Sequence, residues 1–379
     1  MLLNEGPSST VSVSRLPVFA AAQFVMSLSW VAYAIFLPAL AQKAGLAKTA
    51  VVWLLLVDQM VFMVADVLAG IFSDRMDGVL QKWGRVLGLL TGASALALLA
   101  IPLLVDATGA VPALVVPALI WVACSAALRA PLFALVGKRA GSNTGKAFRW
   151  LLLGNGFALA GAPYLAIVLK GSAPLDSFAI ISAGLVLCAV LVMRSVAGAS
   201  PASASTPDGD AFYPSGMTLL AAVLCAALAI QVHNALNAGP LYVRGGVAAT
   251  ELHWWMPAFW AGFNLALIVP APWRTWPATR RVALFAAFVG LALVACVALT
   301  LPVAQALSQA LAGVAWAWLL CATFATANAL GRPARHGPMN GSVHAALAGA
   351  AVMRLALVAG GATQAFGSTS SSCQWRLPR

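Results

Sequence analysis

A helix needs about 20 successive apolar residues to cross the hydrocarbon core of a bilayer. This chain contains eleven such runs: 16–40, 50–72, 86–105, 110–135, 148–169, 176–197, 217–242, 253–272, 281–301, 303–329 and 343–366. Gly, Pro, Ser or charged residues occupy the joints, as connecting segments require. Only 8% of the 379 residues are charged and 62% are hydrophobic, whereas a soluble domain carries about 25% charged residues. The chain is therefore expected to be an all-α polytopic membrane protein. The first run follows a polar segment and is too long for a signal-peptide core, so it reads as an uncleaved span.

The formal charge of +12 is explained by how the cations are distributed. With the N-terminus in the cytoplasm, the inner segments hold Arg15, Arg75, Lys82, Arg85, Lys138, Arg139, Lys146, Arg149, Arg194, Arg274, Arg280, Arg281, Arg332 and Arg335. The opposite segments hold Lys43, Lys48, Lys170 and Arg244. That asymmetry follows the positive-inside rule and predicts an inner or plasma membrane location with a cytoplasmic N-terminus. The basic residues form no compact cluster, which excludes a nucleic-acid partner. Cys124, Cys188, Cys225, Cys296 and Cys321 lie in apolar runs without C-x-x-C spacing. They are expected to be packing residues, and no metal site or other cofactor follows from them.

Residues 198–216, rich in Ala, Ser and Pro, are the one linker-like stretch. The expected organisation is a six-helix bundle over 1–197, a cytoplasmic linker over 198–216, a bundle of five spans over 217–366 and a polar tail over 367–379. The ninth and tenth runs are divided only by Leu301-Pro302, so that turn must be tight.

The stretch from Ala65 to Arg85 reads ADVLAGIFSDRMDGVLQKWGR. Asp66 and Gly70 lie one turn apart on one helical face. Ser73, Asp74 and Arg75 mark where the helix leaves the membrane, and Trp83, Gly84 and Arg85 mark where the next one enters. The pattern D-x-x-x-G-x-x-S-D-R followed by W-G-R resembles the loop between the second and third helices of major facilitator transporters, in the version of the cation–sugar symporter branch. The resemblance implies a two-bundle fold of twelve spans with substrate held between the halves. It implies that Gly70, Ser73, Asp74, Arg75, Gly84 and Arg85 gate the conformational switch at the inner face. It also places Asp66 in an ion site whose second carboxylate, one turn earlier, is Phe62 here. This departure speaks against sodium and leaves a lone carboxylate to carry a proton. Eleven recognisable spans are present, and the twelfth is expected to be missing, because the 13 residues after Phe366 are too polar and too few to cross.

Charges inside a span cost about 2.5–3.5 kcal/mol each on insertion scales and normally face a cavity or a partner. Asp58 and Asp66 in the second run, Arg129 in the fourth and Arg354 in the eleventh are such charges. At about 1.5 Å per residue, Asp66 and Arg129 lie level near the inner face, and Asp58 and Arg354 lie level near mid-membrane. Two pairs are therefore expected: Asp66 with Arg129 inside the first half, and Asp58 with Arg354 across the halves. All four are candidates for transport or coupling; the alternative is that they only stabilise packing.

The seventh run contains Gln231, His233, Asn234 and Asn237, followed by Gly239-Pro240. Polar groups in an apolar helix need partners, and a Gly-Pro pair can break the helix beside them. These four residues, with Asn264 in the eighth run, are the candidate substrate cavity. Gln23, Tyr33, Asn155, Trp316 and Asn328 are weaker candidates. Gly156, Gly161 and Pro163 are explained by close helix packing.

The expected function is secondary active transport of a small solute by alternating access, coupled to protons, by a monomer embedded in the lipid bilayer; symport and antiport stay open. No phosphate-binding glycine loop is present, so nucleotide drive is not expected. A membrane-embedded transferase would need clustered aspartates, yet Asp58, Asp66 and Asp74 are each eight residues apart and point in different directions. A non-transporting assembly factor on the same fold is the remaining alternative.

Overall fold

The computed structural model describes residues 15–75, 80–139, 144–196, 215–269, 276–330 and 336–361. The first six helices are α1 (Leu16–Lys43), α2 (Ala50–Arg75), α3 (Leu80–Thr108), α4 (Val111–Arg139), α5 (Thr144–Val168) and α6 (Pro174–Val196). They are followed by α7 (Gly216–Val232), a π turn (His233–Asn237), α8 (Ala238–Arg244), α9 (Leu252–Trp255), α10 (Ala258–Ile268), α11 (Ala278–Ala298), α12 (Pro302–Leu330) and α13 (His336–Ala359). Among the described residues, ten helical segments are long and apolar enough to cross a membrane, with α7, the π turn and α8 forming one of them. The protein is an integral, multi-pass membrane protein. Helices suit such a chain because each satisfies its backbone hydrogen bonds internally, which the lipid cannot do.

The eighth apolar run is divided. Pro257 stands between α9 and α10 and caps the latter, because a proline has no N–H to give to the turn before it. The seventh run is not broken at Gly239-Pro240 as expected. The Ala238 N–H bonds back to the His233 carbonyl, one residue further than in an α-turn. The π turn lies directly before Pro240 and carries the helix on into α8.

The tight turn between the ninth and tenth runs is stapled by side chains. Gln305 Nε2 donates to the Leu299 carbonyl at 2.8 Å, and Pro302 opens α12, where its missing N–H costs nothing.

Two glycines end corresponding helices in the same way. Gly45 (φ 79°) follows α1, and Gly246 (φ 98°) follows α8. In each case the glycine and the next residue donate to carbonyls in the last turn: Gly45 to Gln42 and Leu46 to Ala41, Gly246 to Val243 and Val247 to Tyr242. This left-handed cap satisfies carbonyls that the helix end would otherwise strand.

The helices α1 to α6 pack among themselves, chiefly α1 on α5 and α6, α2 on α4, and α3 on α4 and α6. The later helices form a second group, in which α10 and α11 pack on α12, and α7 packs on α13 and α11. The groups meet along α2 with α13 and along α5 with α10. The near face is the one at which α1 begins, and the far face is the other. Leu89, Leu96, Ile180 and Leu291 are two-thirds or more exposed, at 75%, 70%, 74% and 67%. Such side chains belong in lipid rather than in water.

Toward the near face, α2 and α13 approach to backbone contact. A Cβ on Gly70 would overlap the Gly337 carbonyl, and one on Gly341 would overlap the Asp66 carbonyl. Toward the far face the groups meet through aromatic rings, Tyr164 of α5 against Trp254 at 5.5 Å and His253 at 6.2 Å.

Candidate functional site

A cavity of about 500 Å³ lies between the two groups. The first group contributes α1, α2, α4 and α5 to its walls, and the second contributes α7, the π turn, α10, α12 and α13. One wall is aromatic. Trp30 and Trp121 stack with centroids 6.1 Å apart and planes 12° apart, and Phe62 meets Trp30 edge-on at 5.4 Å. Trp260 and Trp316 face the same space from the second group.

Asp66 is completely buried, and Arg129 of α4 binds it. Arg129 Nε donates to Asp66 Oδ1 at 3.4 Å, and Nη2 donates to Oδ2. The guanidinium also lies over the Phe62 ring, 4.9 Å from its centroid, an attraction between cation and ring quadrupole. Phe62 thus occupies the position one turn before Asp66 with a π face instead of a second carboxylate. Arg129 lines the cavity while Asp66 stands behind it.

Asp58 and Arg354 do not pair. Asp58 is buried and accepts a hydrogen bond from the Tyr33 hydroxyl at 2.9 Å. Tyr33 is itself packed on Trp121 at 4.7 Å. Arg354 lines the cavity and has no hydrogen bond or ion pair among the described residues; its Nε is buried without a partner. Residue counting sets the two level, but Asp58 is bonded to α1 and Arg354 lines the central space, so equal height does not imply contact.

Of the five residues expected to line a substrate cavity, Gln231 and Asn234 do so. His233, Asn237 and Asn264 do not. His233 is buried with Nε2 unpartnered; it lies one residue from Asn234 and therefore about 100° away around the helix. Asn237 closes the π turn, whose extra residue rotates the bearing of Asn237 and of α8 beyond it. Asn264 is buried against α5, where a Cβ on Gly156 would overlap its Oδ1. Trp260, one turn earlier, is the α10 residue that reaches the cavity.

Of the weaker candidates, Gln23, Asn155 and Trp316 line the cavity. Gln23 Nε2 donates to Ser27 Oγ at 3.3 Å, and Ser27 donates to Asn155 Oδ1 at 2.8 Å, which ties α1 to α5. Gln59 and Trp30 also line it, with Trp121 buried behind Trp30; they were not singled out in the sequence, where they sit in apolar runs as ordinary packing residues would. Asn328, the remaining weaker candidate in α12, belongs to a polar cluster whose other members, Asn340 and His344, were missed in the sequence. Asn340 Nδ2 donates to Asn328 Oδ1 at 3.3 Å, and His344 Nδ1 lies 2.9 Å from the Asn340 carbonyl. His344 packs edge-on against Phe133 at 4.7 Å.

Among the expected gating residues, Gly70 lies buried at the α2–α13 contact. Gly84 is inside α3, where a Cβ would press on the end of Met193, and Arg85 is exposed. The α2 helix runs to Arg75, but the side chains of Ser73, Asp74 and Arg75 lie outside the described residues. Among the described residues no three His, Cys, Asp or Glu side chains are grouped as a metal would need.

Comparison with solved structures finds the same arrangement of helices. The human organic anion transporter MFSD10 (TETRAN) superposes with a TM-score of 0.64 at 13% identity, over 94% of this chain and 97% of that one. A bacterial homologue of the iron transporter ferroportin, in its outward-facing state with soaked iron, gives 0.69 at 16% identity, over 93% of this chain and 94% of that one. A structure of a bacterial ferroportin homologue in its outward-facing state gives 0.67 at 14% identity, over 93% of this chain and 94% of that one. No protein-family model and no curated protein sequence matches the chain.

Proposed function

The chain has the major facilitator fold, and from that premise we propose that it is a secondary active transporter. It moves a small solute across the membrane by alternating access, with protons as the coupling ion. The observation that carries the reading is the cavity of about 500 Å³ walled by both helix groups, with the Asp66–Arg129 pair at its edge. A site shared by two bundles changes its exposure when one bundle rocks against the other.

Burial supports the proton role. Asp66 is shielded from solvent, and Arg129 is its hydrogen-bonding partner. An isolated buried carboxylate costs far more than a neutral one. Any step that draws Arg129 toward a solute in the cavity therefore favours proton uptake by Asp66. Phe62 lies under the guanidinium in the paired arrangement.

Further parts of the reading rest on the sequence. Basic residues concentrate on the near face, including Arg85, Lys146, Arg149 and Arg194; this supports a cytoplasmic near face in an inner or plasma membrane. Gly70 with its glycine partners on α13 is the part of the gate that must separate when the near face opens. The protein acts as a monomer, since each half finds its partner within the chain. The iron of the bacterial neighbour is not carried over, because the cavity-lining residues include no Asp, Glu, His or Cys.

The test is reconstitution into vesicles with an imposed pH gradient. Solute accumulation that collapses with the gradient is expected for the native chain. Asp66→Asn should keep exchange of solute for solute and lose accumulation driven by the gradient. Accumulation indifferent to the gradient would remove the proton role, and the absence of any solute movement across a metabolite panel would remove the transporter reading.

A further inference from the structure

We infer that the cavity takes a flat organic monoanion, with its carboxylate on Arg354 and its apolar body against the tryptophans. This rests on reading the cavity as the substrate site.

The argument starts from charge. The lining contains two guanidinium groups, Arg129 and Arg354, and no carboxylate. Asp66 offsets Arg129 from behind. Arg354 has no such offset: the carboxyl level with it, Asp58, is bonded to Tyr33, and no ion pair joins the two. The cavity wall therefore presents one guanidinium without an ion-pair partner among the described residues. A guanidinium is a planar fork of donors that matches a carboxylate with two parallel hydrogen bonds. A cation in the same place would meet this positive charge, which outweighs the attraction of the aromatic faces. A dianion would have to compete with Asp66 for Arg129.

Shape points the same way. Trp30 is half-buried in one wall and is backed by the fully buried Trp121, whose plane lies 12° from its own; Trp260, also half-buried, stands in the wall of the other helix group beside Trp316. Indole faces accept a flat ring by stacking and offer little to an extended polar chain. A space of about 500 Å³ falls within the roughly 300–1,000 Å³ of sites that hold compact organic ligands. The amides of Gln23, Gln59, Asn155, Gln231 and Asn234 lie around it and can bond ring substituents.

The experiment measures binding to the purified full-length chain in detergent, by calorimetry or by quenching of tryptophan fluorescence. The probes are 2-naphthoate, 2-naphthamide and 2-naphthylmethylamine, which share a body and differ in charge. The acid is expected to bind at least about tenfold tighter than the amide, and the amine more weakly still. Arg354→Gln should abolish the preference for acid over amide, and Arg354→Lys should restore part of it. Failure of the acid to bind, equal binding of acid and amide, or a preference unchanged in a folded Arg354→Gln would each overturn the inference. If Arg354→Gln does not fold, the three probes on the native chain decide the matter. Vesicle uptake separates this inference from the reading beneath it. Binding of naphthoate by a chain that moves no solute sinks the transporter and keeps the anion site. Transport of a neutral or cationic solute without naphthoate binding does the reverse.

Discussion

Arg129 grips Asp66 through two of its nitrogens while its guanidinium lies over Phe62, 4.9 Å from the ring centroid. A fully buried acid is thus tied to a base that faces the cavity, and a ring keeps the base in place. Removing one partner strands a charge, which costs about 3–5 kcal/mol in buried pairs, whereas replacing both by apolar groups is often neutral. Asp66→Leu and Arg129→Met are each expected to lower the thermal unfolding temperature in detergent. The double variant should recover most of that loss. Additive losses would show that the pair is not a unit.

Asp58 offers the contrasting case. Its partner is the Tyr33 hydroxyl at 2.9 Å, not Arg354. A double-mutant cycle on Tyr33→Phe and Asp58→Asn should show a coupling of about 0.5–3 kcal/mol. The cycle on Asp58→Asn and Arg354→Gln should stay within about 0.5 kcal/mol of additivity. A large coupling in the second cycle would mean that these two charges meet in another state of the protein.

The contact of α2 with α13 depends on missing side chains. Gly70→Ala and Gly341→Ala each put a Cβ onto a carbonyl of the facing helix, and overpacking of this kind costs about 1–3 kcal/mol. Gly88→Ala serves as the control, since nothing lies within 4 Å of its Cβ, and it should stabilise α3 by about 0.5–1 kcal/mol. Thermal unfolding ranks the three. If Gly70→Ala unfolds no earlier than Gly88→Ala, the close approach is not part of the stable structure.

The two left-handed caps give a further test. Gly45→Ala and Gly246→Ala force a Cβ into φ values of 79° and 98°, at roughly 1–2 kcal/mol each. Gly45→Asn should cost less, because Asn tolerates that conformation. Hydrogen exchange at Leu46 and Val247, whose amides close the caps, should rise in the alanine variants and only slightly in the Asn variant.

Hydropathy was enough to find most of the helices, because each lipid-crossing segment writes its length in apolar letters. It failed where other physics chose the letters. The start of α13 reads HGPMNGS, which looks like a loop, yet the helix begins at His336. Its glycines are there to admit the α2 backbone, and its asparagine bonds Asn328. Counting residues brought Asp66 and Arg129 to the same height, and the fold joins them. The same count brought Asp58 and Arg354 level and could not see that they face different neighbours, since bearing depends on how helices are rotated against each other. Trp30, which lines the cavity, and Trp121, which is buried behind it, could not be told apart, because both look like packing residues in a run of apolar letters.

The π turn at His233–Asn237 stores one residue more than an α-turn would hold. Such a surplus can be handed along the helix one position at a time without severing the chain of backbone bonds. Each hand-over re-aims only the residues that it passes, because the helix on either side keeps its register. Gln231 lies before the turn and Asn234 within it, so the surplus residue sets the angle at which these two amides of one span reach the cavity.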